Sequence, residues 1–276
     1  HTRTWGTGHQ PISRSTPSHD TRHEQRFDVV RGAQPRIVID SRTAEGTNDK
    51  LVSDNLSQEL KDRGFTSATS LKRLFDINPG VGGPLKKDKL WFFASSRTQV
   101  GDTTWPNVTY LEKNRIYVQS GRLTYQMDSK NKFTGYYERN KKTKSAQSPA
   151  IGTSFEAANN RPGTDPYEMA QIKWTSTVSP KLMLETGWGF NAIRFITAYQ
   201  DGIRQQRGTA DWFRVVGHRD LGLNTFTVAG TPETNTLTHR NSVYGSATYV
   251  TGSHSFKFGG LWSGGPLRSI VDANGD

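Results

Sequence analysis

Beyond Leu71 the chain alternates apolar and polar residues at a period of two, in segments that come in pairs. In "RLTYQM" and "KFTGYYER", separated by "DSKN" (Asp128 to Asn131), Leu123, Tyr125, Met127, Phe133, Gly135 and Tyr137 share one side. Arg122, Thr124, Gln126, Lys132, Thr134 and Glu138 share the other. Period two on both arms predicts strands with one apolar face, and the polar turn between them predicts a hairpin. A second pair has Ala170, Ile172 and Trp174 before a turn at Val178 to Pro180, then Leu182, Leu184, Trp188 and Phe190 opposing Glu185, Gly187, Gly189 and Asn191. A third carries Val243, Ala247 and Tyr249, a "TGSH" turn, then Phe256, Phe258 and Trp262. The first pair in chain order is "KRLFDINPGVGG", "PLKKDK" and "LWFFASSRT", whose incoming arm Pro79 would weaken if that arm were central.

Before these pairs, "SDNLSQELKDRGF" (Ser53 to Phe65) predicts a short surface helix, with Asp54 or Asn55 as N-cap and Gly64 as its stop. Residues 1–45 show no sustained apolar period beyond "RIVID" and are left unassigned, as a disordered or mis-joined stretch. Residues 46–70 are then a loop with a short helix, and 71–263 are four hairpins.

Within each pair the turns are short, whereas the connections between pairs are long, around "GDTTWPN", from Thr143 to Asp165, and from Arg194 to Leu237. Compact soluble domains seldom carry long structureless loops repeatedly. Short turns alternating with long connections suit an outer-membrane barrel. The fold predicted is all-β, a partial antiparallel up-and-down transmembrane β-barrel of about eight strands in four hairpins. Tyr125, Tyr137, Trp174, Leu184, Trp188, Tyr249, Phe258 and Trp262 are the expected lipid-facing or girdle residues. A soluble β-sandwich binding glycan or protein, with the same aromatics in its core, stays open as the alternative.

Composition sharpens this. Only 32% of residues are hydrophobic, which is lean for a globule of 276 residues, and no apolar run is long enough for a membrane helix. A net charge of +11 points to an anionic partner such as outer-membrane lipid and lipopolysaccharide. Nucleic acid is not expected, because the aromatics lie on apolar strand faces instead of among the basic residues. The run Arg139 to Lys144 is placed where a strand leaves the membrane, within reach of lipid phosphates.

"GGPLKKDKLWFF" (Gly82 to Phe93) resembles the start of the barrel in TonB-dependent outer-membrane receptors of the Oar-like type, which often carry a carboxypeptidase-regulatory-like domain upstream. "TNDKLVSDNLSQELKDRG", "RLTYQMDSKNKFTGYYERN" and "TGSHSFKFGG" resemble further pieces of that barrel in the same order, over about Gly46 to Trp262. The resemblance implies a fragment of a receptor in the cell outer membrane of a Gram-negative type bacterium. Such a receptor binds and imports a solute, here unknown, and is energised by TonB through a segment absent from this chain. The family's barrel has 22 strands around a plug. Eight strands are legible here, and neither plug nor TonB box is recognisable.

No enzymatic chemistry, cofactor or metal site is expected. His19 and His23 lack an intervening Glu, "DANGD" lacks the ligand spacing of a calcium loop, and the glycines of "GVGG" precede no helix. His218, Asp220, His239 and His254 are taken as polar residues of loops and strands.

Overall fold

The structure is a computed structural model that describes residues 38–51, 56–146, 154–157 and 161–275. In chain order the elements are β1 (Val38–Asn48), α1 (Gln58–Asp62), β2 (Ser70–Lys86), β3 (Leu90–Thr104), β4 (Glu112–Gln126), β5 (Asn131–Lys144), β6 (Arg161–Ser179) and β7 (Leu182–Ala198). There follow α2 (Ala210–Arg214), β8 (His218–Asp220), β9 (Thr225–Thr227), β10 (Glu233–Thr251), β11 (His254–Gly264) and β12 (Leu267–Asp272). Ten strands form one sheet in the order β1-β2-β3-β4-β5-β6-β7-β10-β11, with β12 also on β10; β8 and β9 form a separate ribbon. Every pairing is antiparallel. The sheet is open, with β1 at one edge and β11 and β12 at the other.

β11 and β12 are one interrupted strand. Asn241 pairs with Gly264 and Thr238 with Leu267 in unchanged register, and His239 N donates to the Pro266 carbonyl across the gap at 3.0 Å. Gly265 permits this, since a Cβ there would collide with the His239 carbonyl. Pro266, which has no N–H to donate, sits on the edge where none is required.

The four hairpins form where the alternation puts them, but three features differ. First, residues 38–48, whose first part lay in the unassigned stretch, form β1 and pair with β2 from Asn48↔Arg73 to Val38↔Gly82. Beyond the end of "RIVID" their sequence carries almost no apolar alternation, so main-chain pairing holds the strand and hydropathy marks only its start. Residues 1–37, including His19 and His23, lie outside the described residues. Secondly, the strands run past their apolar stretches into polar sequence, so the connections are shorter than expected: 105–111, 145–160 and 199–232. Thirdly, the helix begins at Gln58 with Ser57 as N-cap, its Oγ accepting from Leu60 N at 3.3 Å. Asp54 and Asn55 lie outside the described residues. Pro79 is tolerated inside β2: it lies opposite Arg42, and the ladder to β3 keeps its register from Ile77↔Thr98 to Gly80↔Ser95. The "GVGG" glycines are within β2.

Turns and long connections lie at opposite ends of the strands. Asp128 organises the "DSKN" turn, its carboxylate accepting from Lys130 N and Asn131 N at 2.8 Å and from Asn131 Nδ2 at 2.9 Å. Asn131's side-chain donor, with the two backbone N–H groups, holds this carboxyl below the usual carboxylate range. The folded value is the lower one, so the contribution is present above the unfolded value and lost as pH falls through the folded one. The amide shifts of Lys130 and Asn131 should therefore titrate with a midpoint below about 3.9. A midpoint at or above that value contradicts the arrangement.

Burial is inverted relative to a soluble sheet. Tyr125, Leu123, Phe258 and Trp262 are exposed, Phe258 at 70%, whereas Tyr199, Ile203, Trp212, Ala229, Ala146 and Ala157 are buried in the connections. The connections fasten to one another. Asn107 accepts from Thr66 N at 2.9 Å and donates to the Gly64 carbonyl, Gln200 donates to the Ser145 carbonyl at 2.6 Å, and Tyr110 meets Phe155 edge-on. Asn274, part of the "DANGD" segment, is buried and its Nδ2 donates to the carbonyls of Ile203 (2.9 Å) and Val215 (3.0 Å). Burial pushes the neighbouring Tyr199 hydroxyl up.

Candidate functional site

Register assigns each side chain to one of two faces. On β4 and β5, Tyr125 pairs with Phe133, Leu123 with Gly135 and Gly121 with Tyr137. Phe133 then pairs with Trp174, Gly135 with Ile172, and Ile172 with Trp188. Trp188 pairs with Val243, Val243 with Trp262, Leu184 with Ala247, Ala247 with Phe258, and Tyr249 with Phe256. Directly paired residues point the same way. Tyr125, Tyr137, Trp174, Leu184, Trp188, Tyr249, Phe258 and Trp262 are thus brought onto one apolar face. The "LWFF" run is divided, with Leu90 and Phe92 opposite Tyr125 and Leu123 on that face, and Trp91 and Phe93 opposite Thr124 and Arg122 on the other.

The aromatic hydrogen-bonding groups mark the margins of this band. Toward the turns, Trp174 Nε1 donates to Asn131 Oδ1 at 3.1 Å. Toward the connections, Trp188 Nε1 donates to Asn241 Oδ1 at 3.2 Å and Tyr137 OH to Glu168 Oε1 at 3.1 Å. Beyond that margin the same face turns charged, with Arg139 on Asp165 (3.1 Å), Lys141 on Asp165 (3.0 Å), and Asp102 held between Arg73 (2.8 Å) and Arg115 (2.6 Å). A band of apolar side chains edged by amphipathic aromatics fits a bilayer core with an interface on either side.

The opposite face is polar. Glu185 lies between Lys173 (2.5 Å) and Lys257 (3.4 Å), Arg97 pairs with Asp76, and Tyr136 OH donates to Glu138 at 2.5 Å with Arg122 over its ring. Among these groups lies a cavity of about 360 Å³ lined by Arg122, Tyr136, Lys173, Asn191, Arg240 and Tyr244. Gly187 makes room for the Tyr244 ring, which lies across it: any side chain there would collide with the ring. Residues 97–264 match the family described as "Outer membrane beta barrel domain". The chain belongs to this family. It is a partial outer-membrane β-barrel, all-β and antiparallel, and its place is the outer membrane. No curated protein and no solved structure matches the chain. The sandwich alternative falls, because the barrel's strands make a single large sheet with no second large sheet packed against it among the described residues.

Two polar clusters could be placed only in three dimensions. In the basic run Arg139 to Lys144, Arg139 and Lys141 are matched by Asp165, and Lys144 by Glu112 at 2.8 Å, so three of its charges already have carboxylate partners. Asp102 and the two arginines flanking it come from three strands, and alternation in one segment cannot reveal them. The histidines are not gathered. His218 and Asp220 are on β8, His239 is on β10 beside Phe190 (6.0 Å), and His254 is at the opposite, turn end beside Phe256 (6.2 Å).

Proposed function

We propose that this barrel is part of the wall of a TonB-dependent receptor of the Oar-like type, which binds a solute at its long connections and imports it. In this reading the apolar face meets lipid, the polar face lines the lumen, the short turns are periplasmic and the long connections face outside. The observation that carries it is the asymmetry of the two ends. Turns of a few residues stand at one end, and at the other the longest connection folds around Tyr199, Ile203 and Ala229 while hydrogen bonds such as Gln200 to the Ser145 carbonyl fasten the connections together, as a platform for ligand requires. The cavity on the polar face, beside Arg122, Arg240 and Lys173, lies on the path that a solute would follow. The role is binding and passage without covalent chemistry. TonB would be engaged by a part of the receptor outside these strands.

Energy dependence tests this. Cells with and without the gene are offered labelled metal chelates, oligosaccharides and peptides too large for passive diffusion, before and after a protonophore. One class should lose uptake on gene deletion and equally on collapse of the proton gradient. Gene-dependent uptake that survives the protonophore would mark a passive pore and overturn the receptor reading.

A further inference from the structure

On the apolar side of the sheet, just beyond the Trp188–Asn241 margin toward the long connections, lies a groove of about 340 Å³. Leu237, Ile270 and Pro166 supply its apolar surface, and Arg194, His239 and Arg268 its ionisable groups. Register brings these together. Arg194 of β7 and Arg268 of β12 both pair with Leu237, from opposite sides, which sets their Cα atoms about 10 Å apart across β10. His239 lies two residues nearer the band, its ring 6.0 Å from that of Phe190. Arg194 is steadied by a 3.0 Å bond from Nε to Asn235 Oδ1.

No carboxylate is among the residues lining the groove itself. Glu233 and Asp272 line the adjoining pocket with Arg194, but they already have partners in Arg204 (3.5 Å) and Arg207 (4.0 Å). Two guanidiniums beside an imidazole at the edge of an apolar band repel one another in a medium of lowered dielectric, and an anion between them removes that cost. Guanidinium forks match phosphate oxygens in geometry as well as charge. The apolar floor adds a surface for the carbon skeleton that carries the phosphate.

We propose that this groove binds the phosphate of a phosphorylated lipid of the outer leaflet, with Arg194 and Arg268 on the phosphate oxygens and His239 donating from the side of the band. The inference rests on the orientation proposed above, in which the band meets lipid and the long connections face outside. It is tested on the full chain folded into phosphatidylcholine vesicles that contain lipid A or its fully dephosphorylated form, then extracted in mild detergent for mass spectrometry of the intact complex. Lipid A should be retained and the dephosphorylated form lost. The double variant Arg194→Gln with Arg268→Gln should bind lipid A about tenfold more weakly or worse. Arg139→Gln, which removes a guanidinium already paired, should leave retention unchanged, and millimolar inorganic phosphate should not displace the lipid. Equal retention of both lipids, equal retention by wild type and double variant, or displacement by free phosphate would each overturn the site. Protection of the inserted chain from added proteinase separates the two ideas: insertion without selective retention overturns the lipid site alone, and failure to insert overturns the membrane reading with it.

Discussion

Arginine at Leu184, Ala247 or Phe258 is expected to destabilise the protein in lipid vesicles by about 2–4 kcal/mol, the cost of a cation on the lipid face near the bilayer midplane. These three residues stand in one row across β7, β10 and β11, so the expectation is a common, large effect from three strands at once. Tyr125, paired with Phe133 on the same face, lies in a row no nearer the turns than Leu184, so Tyr125→Arg should cost a similar amount. Gln126→Arg and Lys257→Arg, on the polar face, should be close to neutral. Glu185→Arg is a poor control despite facing the same way, since it would set a third cation against Lys173 and Lys257. The measurement is the free energy of folding into vesicles across a denaturant series. Costs that do not differ between the faces would remove the assignment of apolar to lipid and polar to lumen.

Trp212→Ala is expected to open the 199–232 connection while leaving the sheet intact. Trp212 is 4% exposed in α2, its ring meets Phe213 edge-on at 4.7 Å, and the Arg207 guanidinium lies over it at 5.7 Å. Truncating a buried tryptophan costs about 3–5 kcal/mol. Because the ring contacts of Trp212, with Phe213 and Arg207, lie within the connection, that loss is expected to fall on local opening and not on the strand ladder. A loss of 3 kcal/mol raises the open population by roughly a hundredfold, so trypsin cleavage at Arg204, Arg207 or Arg214 should accelerate to that extent. Unchanged cleavage, with the variant still folded in vesicles, would show that Trp212 does not hold the connection closed.

The hairpins were legible because each has an apolar face, which must alternate wherever one side of a sheet meets a non-aqueous medium. Tyr125 and Phe133, or Tyr249 and Phe256, announce their pairing from the sequence alone. That signal ends where the strands leave the apolar band. Arg139 to Lys144 continue β5 with charge on both faces, so their extension is visible only through the ladders to β4 and β6. Of β1 only the start, within "RIVID", showed in the sequence; its continuation to Asn48 is polar and held by its main chain, and was missed for the same reason. Sites assembled across strands were illegible in a deeper sense. Arg194 and Arg268 are far apart in sequence and become neighbours only because β12 continues the register of β11 past Gly265 and Pro266. The buried cluster of Tyr199, Ile203 and Ala229 had no period to betray it, since a connection packs by irregular contacts. Asn274, within a segment that looks like an ordinary polar turn, is the residue that ties the end of β12 to that cluster.

If the sheet crosses the outer membrane as proposed, its turns lie on one side and its long connections on the other. Ser129, in the "DSKN" turn, and Ala210, at the start of α2, are both exposed, and the chain has no cysteine to compete with introduced ones. Ser129→Cys and Ala210→Cys are therefore placed singly in the intact barrel protein, in a background without other accessible thiols, and intact cells are treated with a bulky membrane-impermeant maleimide. Position 210 should be labelled at once, and position 129 only after the outer membrane is permeabilised. Labelling of both positions in intact cells, with a periplasmic control thiol still protected, would contradict the account.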